Sequence, residues 1–270
     1  MNENTIGFIG AGNMANALIS GLIISGRHAE TIMASSPEQT HLDKMESSYG
    51  VKTTSENNRI FEKCNTIILA VKPNILPNVL ENVSSRLLNK KCLIISIAAG
   101  VTIKDLESYF NPDQRIIRAM PNTPASIQSG VTGLCRNIMA DNEDDTAAAE
   151  NIFNSVGSTC WIKESSMDLY TALIGSGPAY IFYLLESLLD ASKDLHLENE
   201  ITKNILIDMF IGSAKLAKES KDTPEILRKK VTSPGGVTQR AIEIFDENKI
   251  KESIILAIKE ASKKSQELGN

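Results

Sequence analysis

The chain should fold as an α/β domain followed by an all-helical one, and three features of its 270 residues point that way. Short apolar runs rich in β-branched residues alternate with helical-period segments as far as about residue 160, the pattern of a parallel sheet covered on both faces. The β-rich runs then stop and helical patterns take over. Between the first apolar run and the first helix stands Gly10-Ala11-Gly12-Asn13-Met14-Ala15, a match to GxGxxA. At that position the motif marks the first strand-to-helix turn of a doubly wound sheet. The fold class is therefore α/β: an N-terminal Rossmann-type dinucleotide-binding domain over residues 1–164, with a C-terminal all-α domain over 165–270.

The first strand spans residues 6–9. Gly10 permits the tight turn after it, Gly12 lets the backbone approach a pyrophosphate, and Ala15 allows helix and strand to pack closely. The helix continues through Leu18, Leu22 and Ile23. A second strand, 31–34, ends in Ala34-Ser35-Ser36-Pro37. An NAD site usually carries an acid here for the ribose 2′-hydroxyl. Two hydroxyls suit a 2′-phosphate that a carboxylate would repel, so Ser35 and Ser36 favour NADP(H). NAD(H) stays open because no Arg follows closely and Glu38 is near. A strand at 66–71 is stopped by Lys72-Pro73-Asn74, since Pro73 lacks a ladder donor. That stop marks the carboxyl end of a strand, where open α/β sheets bind ligands. Strands at 92–97 and 115–119 follow. Two more, 130–135 and 159–162, extend the sheet, with a helix at 141–155 between them that Asp141 is placed to cap.

Helical patterns then cover 167–174, 179–195, 201–218, 224–231, 238–245 and 250–268. In the second, Ile181, Phe182, Leu184, Leu185, Leu188 and Leu189 occupy most of the circumference, so the helix must be buried on several sides. A deep position in a monomeric bundle and burial by a second subunit both satisfy that demand.

A net charge of −5 gives no electrostatic footprint for nucleic acid or an anionic membrane. No uninterrupted apolar run reaches the length of a membrane span, and the start MNENTIGFIG has no basic leader, so the expected location is the cytoplasm. Cys64, Cys92, Cys135 and Cys160 show neither a CxxC pair nor a metal-ligand spacing. They are expected to be buried free thiols, with no metal site. His28, His41 and His196 fall outside every motif and are expected at the surface.

The substrate seat is expected in TSPGGVT, residues 232–238. This turn should close one helix and launch the next from Thr238, converging free N–H groups and a positive dipole end on a carboxylate site. Gly235 and Gly236 admit a small substrate and Pro234 stiffens the turn. Thr238 has two readings from spacing: a helix N-cap, or a hydroxyl offered to a ligand. A hydride enzyme must also supply a proton. No histidine lies in a motif, which leans towards a C=N acceptor that is protonated before hydride arrives.

Two further motifs, AMPNTPA at 119–125 and GSGPAY at 175–180, complete an ordered set of four. Along essentially the whole chain this order resembles pyrroline-5-carboxylate reductase. The resemblance implies NADPH-dependent reduction of 1-pyrroline-5-carboxylate, a cyclic imino acid, to L-proline, the last step of proline biosynthesis. It implies that Ser36 contacts the phosphate and that Asn57, Ala70, Val71, Lys72, Pro73, Ala98 and Ala99 wall the cofactor groove. Thr238 becomes the catalytic residue, bonding the ring nitrogen, with Glu164, Ser233, Gly235, Gly236 and Val237 in the substrate site. It further implies a C-terminal dimerisation domain and a homodimer with a cleft bordered by both subunits; a larger ring of dimers stays open. Val237 stands where many members have Thr, and Lys230 where some have Asn. Two alternatives are a hydroxyacid or prephenate-type dehydrogenase, which needs a catalytic Lys or His where 179–195 offers only Lys193 and then His196, and a non-catalytic NADP(H)-sensing protein, which needs no small-acid seat.

Overall fold

A computed structural model describes residues 4–83, 85–88 and 90–268. The chain divides into two compact units, one running through Gly177 and resuming at Glu260, the other Pro178–Lys259.

The first unit is an eight-stranded sheet in the order β3-β2-β1-β4-β5-β6-β7-β8. The strands are β1 (Ile6–Ile9), β2 (Ile32–Ser35), β3 (Lys52–Thr54), β4 (Thr66–Leu69), β5 (Leu93–Ser96), β6 (Arg115–Met120), β7 (Gly130–Arg136) and β8 (Gly157–Trp161). Strands β1 to β6 are parallel, β7 runs antiparallel to β6, and β8 is parallel to β7. Alternate strand residues feed two cores, as a period of two requires. Phe8, Ile68, Ile95 and Ile117 face one core with helices α1 (Asn13–Ile24), α2 (Gln39–Tyr49) and α7 (Glu143–Asn154). Ile9, Ile67, Ile94 and Ile116 face the other, with α3 (Asn57–Lys63), α4 (Leu76–Glu81), α6 (Ile103–Glu107) and α8 (Met167–Tyr170). A further short helix, α5 (Ser85–Leu88), lies between α4 and β5.

Several expectations are corrected. Strand β3 was not foreseen, because Lys-Thr-Thr is too short and too polar to show a periodic signal. The cap of α7 is Asn142, whose Oδ1 accepts the Asp145 N–H at 2.9 Å. Asp141, one residue earlier, pairs with Arg136 instead. The expected helix at 167–174 is two pieces, since α8 passes into a π-helical turn, Thr171–Gly175. Cys160 is exposed, because β8 is an edge strand, while the other three thiols are buried. Finally, the continuous stretch Glu164–Ala191 is long and apolar enough by composition to cross a membrane, with a window of mean hydropathy 1.3. Gly, Ser and single acids interrupt its apolar run without lowering the average enough.

The second unit contains α9 (Gly177–Ala191, from its second residue), α10 (Asn199–Glu219), α11 (Pro224–Lys230), α12 (Val237–Glu247) and the first half of α13 (Ile250–Leu268). Among its described residues only Thr202 is buried. Ile181 is 49% and Phe182 63% exposed, so α9 is not the core helix of a monomeric bundle.

Burial pushes the Cys64 and Cys92 thiols up to about 11 and Cys135 up to about 12. Thiol titration of the folded protein at mildly alkaline pH should therefore give one fast-reacting group, Cys160, with the other three appearing only on denaturation. The unfolded chain releases those three protons near its ordinary thiol pKa and the folded chain only higher. Stability should accordingly fall as pH rises from about 9 towards 11.

Candidate active site

The sheet register sets the cofactor seat. Ser35 of β2, Ile9 of β1, Leu69 of β4 and Ser96 of β5 are neighbours across the sheet. The segments leaving those strands, from Ser36, Gly10, Ala70 and Ile97, therefore emerge side by side at the carboxyl edge. Gly10 adopts φ +100°, and a Cβ there would lie 2.6 Å from the Ala70 carbonyl oxygen. Only glycine allows this crossing. Its N–H donates to the Ser35 carbonyl at 2.9 Å, tying the turn to β2.

Gly12 is the N-cap of α1 and supplies no side-chain acceptor. A Cβ at Gly12 would meet nothing within 4 Å. The N–H groups of Asn13, Met14 and Ala15 thus begin a helix with no carbonyl before them and open space in front. An anion fits there, and the first turn holds no acid to oppose it. Ala11 is buried beneath the loop, while Asn13 is exposed and Met14 half-buried.

The two serines behave differently. Ser35 is fully buried, and its hydroxyl donates to Asn57 Oδ1 at 2.8 Å, with the Phe8 carbonyl 3.3 Å away. It faces the protein, where its hydroxyl proton is engaged by Asn57 at the start of α3. Ser36 lies in the turn after β2, where its Oγ accepts the Glu38 N–H at 3.1 Å and its own proton remains to donate. On the other side, Ala70 bonds the Ile9 carbonyl at 2.8 Å. Val71 is half-buried, Lys72 is exposed and Pro73 opens a short 3-10 turn. Ala98 is buried, its N–H on Ser96 Oγ, and Ala99 is half-buried. All the cofactor residues read from the sequence thus fall on this edge, with Ser35 beneath it.

The loop 232–238 belongs to the second unit. Gly235 has φ +68°, and its N–H donates to Gln239 Oε1 at 2.7 Å. That donor is spent. Gly236 bonds the Ser233 carbonyl at 3.0 Å and is the N-cap of α12. The helix therefore starts at Val237, not Thr238, because the turn residue itself carries extended dihedrals. Thr238 occupies the second helical position, exposed, its hydroxyl not used as a cap. Val237 is 91% exposed, so its backbone matters here rather than its packing. Ser233 is exposed beside them, and Lys230 pairs with Asp222.

Glu164 lies in the first unit and is engaged there. Its Oε1 accepts the Ile103 N–H at 2.6 Å, at the start of α6, and stands 3.6 Å from Arg118 Nη1. Sequence reasoning missed Arg118 and Asn122. Arg118 is only 3% exposed within an otherwise apolar strand, and that anomaly was the available signal.

A Gly-capped helix at the carboxyl edge of a doubly wound sheet, with a 2′-phosphate-tolerant turn beside it, defines an NADP(H)-dependent oxidoreductase. Comparison with known proteins narrows the class. Residues 164–268 match the family described as pyrroline-5-carboxylate reductase dimerisation, and residues 5–100 match NADP oxidoreductase, coenzyme F420-dependent. The chain is 36% identical over 265 residues to pyrroline-5-carboxylate reductase of Synechocystis, covering 98% of each. It is 34% identical over 267 residues to that of Escherichia coli, again covering 98% of each. Among solved structures, Plasmodium falciparum pyrroline carboxylate reductase with NADP bound superposes with a TM-score of 0.89 at 32% identity, covering 100% of both chains. The chain belongs to the pyrroline-5-carboxylate reductase family.

The two glycines of the loop should separate by experiment. Gly12→Ala should fold with stability changed by less than about 1 kcal/mol, yet bind NADPH more weakly, because its Cβ enters only the open space. Gly10→Ala should lower stability itself by roughly 1–3 kcal/mol through its positive φ and the Ala70 clash. Denaturant unfolding and cofactor fluorescence titration check both.

Proposed function

We propose that this chain reduces 1-pyrroline-5-carboxylate to L-proline, the last step of proline biosynthesis, with NADPH preferred over NADH. The observation that carries the reading is the similarity to reductases of that name over nearly the whole length, together with a second Gly-capped helix start at residues 236–238. NADPH, when bound, supplies the hydride. Gly10, Ala11, Gly12, Asn13 and Met14 hold its pyrophosphate, Ser36 its 2′-phosphate and Asn57 a ribose. Ala70, Val71, Lys72, Pro73, Ala98 and Ala99 wall the groove.

The substrate is a small anion with a C=N bond, and α12 suits both features. The N–H groups of Val237 and Thr238 lack intrahelical acceptors and lie at the positive end of the helix dipole, so they take the carboxylate. The Thr238 hydroxyl, free of capping duty, holds the ring nitrogen, which arrives protonated from solvent. Protonation makes the imine carbon electrophilic, and the orienting bonds align it for hydride. Ser233 and Gly236 shape the seat. Gly235 contributes its turn rather than its N–H, and Glu164 acts from its bonds to Ile103 and Arg118.

The dehydrogenase alternative loses support, since Lys193 and His196 both lie past the end of α9, not on it. The second unit serves as a dimerisation domain in a homodimer, and such dimers assemble further into a ring. The apolar stretch Glu164–Ala191 lies within the dimerisation match, which supports its being covered by protein rather than lipid, in a cytoplasmic enzyme.

The test is NADPH oxidation on addition of pyrroline-5-carboxylate, compared with NADH. Inactivity there, beside activity on 2- or 3-hydroxy acids, would refute the reading. Thr238→Ala should lower kcat/KM by about 5- to 150-fold, the equivalent of one substrate hydrogen bond of roughly 1–3 kcal/mol, with the fold intact. Thr238→Ser should keep most activity, and an equal loss in both variants would assign the effect to the methyl group.

A further inference from the structure

We propose that Arg118 and Asn122 are positioning residues for the reduction, because they anchor to the first unit both points at which the chain leaves it and returns. The proposal rests on the reaction assigned above. Arg118, Met120 and Asn122 alternate along β6 and its extension, so they share one face. Over that face runs the segment that leads out of the unit.

Asn122, 8% exposed, bridges two elements. Its Nδ2 donates to the Ile174 carbonyl at 3.2 Å and its Oδ1 accepts the Val131 N–H at 2.9 Å. Ile174 lies in the π-helical turn Thr171–Gly175, which closes with the Ser176 N–H on the Thr171 carbonyl. A π turn displaces carbonyls from the ordinary ladder, and such turns recur at functional sites. Gly175 brings the turn onto β6, since a Cβ there would lie 2.8 Å from Met120 Cε. The first unit ends at Gly177, three residues after the bonded carbonyl.

The return crossing is anchored by the same strand. The chain re-enters the first unit at Glu260, inside α13. In the last turn of that helix, Ser265 Oγ donates to Asp168 Oδ1 at 2.8 Å. That oxygen lies 3.9 Å from Arg118 Nη2, and Arg118 Nη1 lies 3.6 Å from Glu164. Burying a guanidinium between carboxylates at such distances brings little net stability, because desolvation offsets the attraction. What it does fix is direction. The two segments that border the second unit, 171–177 and the end of α13, are thereby each tied to the first unit.

Among the described residues, Arg118 and Asn122 bond to Glu164, Asp168, Ile174 and Val131, none of them on the cofactor edge. Cofactor affinity and turnover should therefore separate. Hydride transfer needs donor and acceptor carbons at about 3–3.5 Å, and a displacement of about 1 Å costs on the order of a hundredfold in rate.

The experiment uses Asn122→Asp, which keeps the acceptor for Val131 but turns an oxygen towards the Ile174 carbonyl, together with Ser265→Ala and Ser265→Thr. In Asn122→Asp, kcat should fall on the order of ten- to a hundredfold while the NADPH Kd stays within about twofold. Amide exchange should accelerate across residues 171–177. Ser265→Ala should lower kcat several-fold, and Ser265→Thr, which retains the hydroxyl, should restore it. Unchanged kcat in both Asn122→Asp and Ser265→Ala, or NADPH affinity falling in step with kcat, would overturn the proposal. A wild type inert towards pyrroline-5-carboxylate would overturn the assigned reaction instead, and unaltered exchange over 171–177 would then overturn the clasp on its own.

Discussion

The constraint on which the rest depends is the uncovered apolar surface of the helical unit. Its helices present Phe182, Leu184, Ile201, Met209, Leu216 and Phe245 to water, and among its described residues only Thr202 is buried. Fully burying one such side chain is worth roughly 1.5–3 kcal/mol, so covering these half-exposed groups would contribute free energy on the order of the whole stability of an ordinary domain. The sheet unit has no such deficit, since its strands feed closed cores on both faces. The larger unit thus closes its own core, and the smaller leaves its apolar surface to the dimerisation that its family match describes. The same demand accounts for the stretch Glu164–Ala191, apolar enough to span a membrane yet part of the segment matched as a dimerisation domain.

Both proposed ligand seats use one device. Helices α1 and α12 each begin at a glycine N-cap, Gly12 and Gly236, with no side chain to satisfy the first N–H groups. A serine or aspartate at either position would stabilise the helix but occupy the donors that an anion needs. In each case a second glycine with positive φ, Gly10 or Gly235, turns the chain so that the helix start faces outward. A phosphate at one start and a small carboxylate at the other use the same physics at two sizes.

The cofactor edge was legible because its signals are local. GxGxxA, the Ser-Ser turn and the Lys-Pro stop each announce a turn within a few residues, and parallel register then lines them up. What local signals leave hidden has physical causes. The Ser35 hydroxyl meets Asn57, 22 residues away, and the Glu164 carboxylate meets Ile103 and Arg118, contacts that only the fold brings together. Thr238 and Asp141 were each one or two residues from the true cap, since spacing locates a helix start only to within a turn. The contacts of Arg118 with Glu164 and Asp168, of Asn122 with Ile174 and of Ser265 with Asp168 join positions 46 to 97 residues apart, which no local pattern encodes.

Sedimentation equilibrium at micromolar concentration, paired with urea unfolding at several protein concentrations, tests the conditional stability of the helical unit most directly. A homodimer should give at least twice the chain mass and an unfolding midpoint that rises with protein concentration. A monomeric mass with full reductase activity and a concentration-independent midpoint would contradict it.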